Sequence, residues 1–225
     1  MRKRMKQTAV LAMALGMAVT GSAAGYAAAD PAAVVDTAVA NGVGGTKTAL
    51  IGTIEITNLS VTLPLKAGFN IDPSKYDGAV DTQIGTNQST NYKIINKSAV
   101  PVYVYISGVD VNKDHNGATV AGAKDITLKT STTELTADYS VMLAIKDAGL
   151  TGASLPSVST PGDWLTAAPS GIKYELNGTT HGRLEVGNTT ATELNLKIYG
   201  LTRNGWAPGD KFAVAPTFTV STTAP

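Results

Sequence analysis

From Val100 to Ser107 the chain alternates without a break, with Val100, Val102, Val104 and Ile106 on one face and Pro101, Tyr103, Tyr105 and Ser107 on the other. Successive side chains of a strand point to opposite faces, so this period of two predicts a half-buried strand and excludes a helix there. The signal recurs along the chain. Ile54 and Ile56 alternate with Glu55 and Thr57, and after a one-residue slip at Asn58, the mark of a bulge or bend, Leu59, Val61, Leu63 and Leu65 form the next face. Further strands are expected at Tyr92 and Ile94, Ile126 and Leu128, Tyr139 to Ile145, Ile172 to Leu176, Leu184 and Val186, Leu194 to Ile198, and Phe212 to Val220. Turn clusters such as IDPSKYDG, NKDHNG and RNGWAPGD separate them. About nine or ten short strands and no convincing helix after the leader predict an all-β fold, a β-sandwich of jelly-roll or immunoglobulin-like topology, with a closed barrel as the alternative. Val102, Val104, Ile106, Val141, Leu143, Leu196 and Ile198 are the expected core. Residues 147–171 contain no strand signal and are expected to be a long loop, of the kind that is often functional or flexible.

Residues 1–29 have a different grammar. Arg2, Lys3, Arg4 and Lys6 precede an apolar run from Ala9 to Val19, and small residues lead to Ala27, Ala28 and Ala29 before Asp30. That order is the three-part pattern of a secretory signal peptide with an A-x-A cleavage site. Thr20, Gly21 and Ser22 cut the run short of the roughly 20 apolar residues that a bilayer span needs. A secreted chain of 196 residues starting at Asp30 is expected, with no membrane association once the leader is removed. Export would ordinarily favour disulfides, but the sequence has no Cys, so a core must stabilise the fold and thiol catalysis is excluded. The 18 Lys and Arg fall to 14 without the leader, against 17 Asp and Glu, a net −3 that lacks the basic field of a nucleic-acid binder. Residues 30–48, rich in Ala and Gly with Val34, Val35, Val39 and Val43 scattered through them, are expected to be a mobile arm, followed by the sandwich domain over 49–225.

The candidate sites are few. Asp110, Asn112, Asp114 and Asn116 place oxygen-bearing side chains at alternate positions, as a calcium-binding EF-hand loop does. His115 stands where that loop needs Gly, and Ala121 where it needs a bidentate Glu, so a plain Asx-rich turn is the favoured reading. Calcium is the sole cofactor candidate. Tyr92, Tyr103 and Tyr105 are an expected aromatic strip that would stack on a sugar ring or a partner, or simply cover a sheet face. Trp164 and Trp206, in Gly/Pro loops, are expected either to plug an end of the sandwich or to form an exposed contact, the plug being favoured. His115 and His181 lie far apart in turns, and no HExxH, GxSxG or SxxK motif accompanies them. Nothing meets the residue requirements of a catalytic site, so the chain is read as a non-enzyme.

The stretches TIEITNLSVTLPLKAGFNIDPSK, TNYKIINKSAVPVYVYISGVD and GDKFAVAPTFTVS resemble the Cys-free secreted surface proteins of Gram-positive bacteria. The plan of signal peptide, arm and jelly roll is similar to that of the TasA and camelysin matrix-fibre proteins. That resemblance implies a filament subunit whose arm, through Val34 to Val43, inserts as a donated strand into the next copy. WxL cell-wall proteins are a second resemblance. Trp164 is followed by Leu165 and Trp206 by Ala207, so neither forms Trp-x-Leu and peptidoglycan binding does not carry over. The leading expectation is a surface or matrix structural protein that associates with itself or with other surface proteins. A carbohydrate or cell-wall glycan binding module is the alternative.

Overall fold

The computed structural model describes residues 59–187 and 192–225. The expected leader, the arm with Val34, Val35, Val39 and Val43, and the strand at Ile54 and Ile56 lie outside the described residues. Within them the chain is all-β. The strands are β1 (Val61–Thr62), β2 (Lys93–Asn96), β3 (Val102–Val111), β4 (Thr127–Leu128), β5 (Ser140–Asp147), β6 (Tyr174–Glu175), β7 (Arg183–Leu184), β8 (Glu193–Thr202) and β9 (Val214–Ser221). They form two sheets. The first has the order β1-β2-β8-β5-β4, antiparallel except for β4 against β5. In the second, β3 is central, with β6 and β7 end to end along one edge and β9 along the other.

The alternation in β3 does what its sequence predicts. Val102, Val104 and Ile106 are fully buried, while Tyr103, Tyr105 and Ser107 are half-buried on the opposite face. All seven expected core residues are buried, and the inward faces of both sheets contribute to one cluster. Each such aliphatic side chain removed from water is worth about 1.5–3 kcal/mol. Gly182, at φ 69°, turns the chain tightly enough for its carbonyl to accept from Val104 N at 3.0 Å. A Cβ there would run into the Val104 carbonyl.

Two expectations are corrected. The strand expected from Leu59 to Leu65 is only the two-residue β1, because Pro64 has no N–H to give a ladder and Leu65 turns out to solvent at 74% exposure. β5 is buried on both faces: Val141, Leu143 and Ile145 join the main core, while Met142 and Ala144 join a second cluster with Leu135, Trp164, Tyr199 and Leu201. The 147–171 segment is the long strand-free connection expected, and it packs as a cover. It folds into two short 3-10 turns, Gly152–Ser154 and Pro161–Asp163, and lays Trp164, Leu155 and Val158 over the outer face of β5 and β8. An apolar second face has to be covered by something, and this segment supplies the cover.

On the β2 side of β8, residues beyond Asn195 have no strand partner, and two glutamines serve instead. Gln88 gives its amide N–H to Ile198 O at 3.0 Å and accepts from Ile198 N at 2.7 Å. Gln83, fully buried, does the same with Thr202 at 2.9 and 2.7 Å. A carboxamide offers one donor and one acceptor side by side, as a peptide unit does, so each Gln imitates one residue of a missing strand.

Candidate functional site

β9 has eight residues, and among the described residues it pairs with β3 alone, so its second edge takes no strand. Opposite residues of an antiparallel pair share a face. Val104 faces Val220, Ile106 faces Phe218, Val109 faces Pro216 and Val111 faces Val214, which turns those β9 side chains toward the core. Beside this edge the two sheets leave an apolar groove of about 290 Å³. Its floor includes the inward side chains Leu143, Ile145 and Ile198, one wall is β9 from Val214 to Phe218, and the other is the segment Pro64 to Phe69. Leu65 stands at the rim, the one large hydrophobic side chain exposed among the described residues. Phe69 and Phe212 line the groove with their rings 5.6 Å apart, and the aromatic row continues away from it through Trp206, 5.5 Å from Phe212, to Tyr139, 5.3 Å from Trp206, between ring centroids. An unpaired strand edge bordering core side chains offers backbone hydrogen bonds and apolar pockets together, the two things that an added strand needs.

The structure separates the expected aromatic strip. Tyr92 is buried in the main core beneath this groove, and burial pushes its hydroxyl well above the usual tyrosine range. It precedes β2 in the first sheet, whereas Tyr103 and Tyr105 lie on β3 in the second. The sequence pattern puts all three in strand contexts but says nothing about which sheet each joins. Tyr103 has Arg183 and Ser221 as its cross-strand neighbours, and Tyr105 has Glu175 and Thr219. The outer face of the second sheet is thus polar with two half-buried tyrosines, and His181 adds a 2.9 Å contact from Nδ1 to Glu175.

Trp164 is 2% exposed and donates from Nε1 to Ser157 O at 2.8 Å, which removes it from any contact surface. It is a plug, though over the face of the first sheet and not at an end. Trp206 is partly buried against the main core and donates from Nε1 to Thr202 Oγ1 at 2.6 Å. In the DVNKDHNG loop, Asp110 is the β3 residue opposite Ala215, and Asn112, at φ 58°, donates to Asp125 Oδ1 at 2.8 Å. Asp114 accepts from the N–H groups of Asn116 and Ala118 at 2.8 and 2.9 Å, which hold its carboxyl below the usual carboxylate range. Asn112 and Asp114 are thereby engaged within the loop and its neighbour, and Asn116 is exposed. Among the described residues no group of three His, Asp or Glu side chains is arranged to hold a metal ion.

Sequence reasoning missed the groove, since Leu65 continues the apolar spacing of a strand face; the signal that could have found the edge is Pro216, inside β9, which has no N–H for a second ladder. It also missed Lys146. This side chain, 9% exposed, lies under the 147–171 cover, 3.6 Å from Asp163 and 4.3 Å from the centre of the Tyr174 ring. No helix among the described residues is long and apolar enough to cross a membrane. No protein-family model, curated protein or solved structure matches the chain.

Proposed function

We propose that the protein is a secreted, non-enzymatic structural protein of the cell surface or extracellular matrix that associates with itself through its N-terminal arm. In this reading residues 1–29 are removed on export, residues 30–48 are the arm, and residues 49–225 form a β-sandwich of jelly-roll or immunoglobulin-like arrangement. Two sheets sharing one core support the sandwich. The observation that carries the assembly is the eight-residue β9 edge above an apolar groove. Val34, Val35, Val39 and Val43 give the arm apolar side chains to place there, and the arm of a neighbouring copy is the proposed occupant. The exposed Leu65 is what such a groove would leave uncovered in a lone subunit. The leader is tested by N-terminal sequencing of secreted material, which should begin at Asp30; retained Met1 would end the export argument.

A second reading, a cell-wall glycan binding module, rests on the adjacent Tyr103 and Tyr105 of the outer face of the second sheet. Aromatic faces beside hydrogen-bonding side chains suit sugar rings. Sedimentation with purified peptidoglycan, compared with a Tyr103→Ala/Tyr105→Ala variant, tests it. Co-sedimentation lost in the variant supports the module, and protein left in the supernatant removes it.

A further inference from the structure

We propose that the groove beside β9 binds a single-chain anionic amphiphile, a fatty-acid carboxylate of about ten to twelve carbons, with its chain on the apolar floor and its carboxylate at the Lys66 and Lys113 end. The two strands that wall this part of the core are covered unequally. On β3 the inward Val104, Ile106 and Val109 are fully buried, whereas their partners Val220, Phe218 and Pro216 on β9 are only half-buried. Pro216 and Phe218 face the groove across from Leu143, Ile145 and Ile198. A cavity of about 150 Å³ takes one benzene ring, so the groove's volume of about 290 Å³ gives room for about a dozen carbons. Ala213 O accepts from Asn112 N at 2.8 Å, so by alternation Pro216 turns its backbone to the free edge of β9 and leaves a gap in the row of N–H groups there. An alkyl chain forms no ladder, and that gap does not weaken its binding.

The charged lining is gathered at one end. The Asn112–Ala213 hydrogen bond brings the loop after β3 to the start of β9, and with it Lys113, Asp114 and His115. Lys66 lines the opposite wall, close enough for its charge to act on the Asp114 carboxyl. Asp114 Oδ1 is already engaged by the N–H groups of Asn116 and Ala118. Lys66 makes no ion pair or hydrogen bond among the described residues, and Lys113 uses one of its three donors on Thr119 Oγ1 at 2.8 Å. Two ammonium groups against one carboxylate make this end net positive, and His115 adds to it when protonated. A concave apolar site with a few polar groups converging at one end is the usual form of a small-ligand pocket. A wholly apolar ligand would leave the two lysines unused, and a small anion would leave the floor uncovered. An acyl chain and the arm of a neighbouring copy cannot share this floor, so bound ligand would hold subunits apart; that consequence, unlike the binding itself, rests on the assembly proposed above.

Titration calorimetry of dodecanoate, kept below its micelle concentration, into residues 30–225 diluted until light scattering shows monomers tests the site. Saturable binding of one ligand per chain is expected, tightening about tenfold for each two carbons added from octanoate to dodecanoate. Dodecanol, which has the chain without the charge, should bind severalfold more weakly than dodecanoate. Lys66→Glu should weaken dodecanoate severalfold, the loss shrinking in high salt. Ala67→Trp, which fills the groove from the Pro64–Phe69 wall, should abolish binding and leave the circular dichroism spectrum unchanged. No saturable heat, or binding indifferent to both Lys66→Glu and Ala67→Trp, would overturn the proposal and leave the arm reading untouched. Binding that both variants weaken, with dodecanoate leaving the scattering of assembled material unchanged, would support the ligand and place the arm elsewhere.

Discussion

Asn96 illustrates how much of the stability lies in single polar side chains that carry no sequence motif. Buried at 1% exposure, it donates to Val100 O at 2.9 Å and Glu185 O at 2.7 Å and accepts from Ser98 N at 2.9 Å, tying β2 to the start of β3 and the end of β7. Gln83 binds Thr202 in the same two-sided way. Gln83→Leu would keep the bulk and leave a buried N–H and C=O of β8 unpaired, at a cost of about 2–4 kcal/mol. Denaturant unfolding should show the midpoint fall with an unchanged slope; an unaltered midpoint would mean that β8 finds other partners. None of this was legible beforehand, because the value of a Gln or Asn depends on which backbone groups the fold leaves orphaned. The Asp and Asn spacing is legible as a turn from Asn112 onward, Asp110 being still in β3, and Asp114 makes the Asx-type contacts expected of one. Millimolar calcium should accordingly leave the melting temperature unchanged, since a ligand that binds only the folded state would raise it. A rise that disappears in Asp110→Ala would reinstate the metal site.

Strands were legible where one face is wet and poorly legible where both or neither are. β3 has a dry face and a half-wet one, and its alternation identified Val102, Val104 and Ile106 correctly. Val104→Asp should therefore prevent folding, because it buries an unpaired charge; a variant that melts like the parent would contradict the facing of β3. In β5 the alternation was only half the pattern, since Met142 and Ala144 are covered by a segment that gave no strand or helix signal. The stretch from Leu59 to Leu65 misled for the opposite reason, its apolar spacing persisting past Pro64 into a residue that the fold leaves outside. That exposed Leu65 also gives the cleanest probe of the groove. Leu65→Glu adds a charge at the rim without touching the core, so the unfolding free energy should stay within about 0.5 kcal/mol of the parent's while assembly weakens. Assembly unaffected by the charge would move the interface away from β9.

In the molecule as a whole, two sheets share a core, the 147–171 segment covers the outer face of the first, and a groove lies open along β9. The all-β class followed from periodicity, because a period of two over many short segments leaves few other architectures. Sheet order did not follow. Pairings such as β2 with β8 and β3 with β9 join segments about 100 residues apart, and no local pattern encodes such a choice. Edge and centre are properties of that order, and the one local mark of β9 as an edge is Pro216, which a central strand does not accept. The proposed assembly joins this edge to the arm, two regions at opposite ends of the sequence, and depends on their coupling. Light scattering with negative-stain microscopy on residues 30–225 and 49–225, matched in concentration, tests it most directly. Oligomers or fibres from the longer chain and folded monomers from the shorter one are the predicted result. Equal assembly by both, or monomers from both, would contradict it.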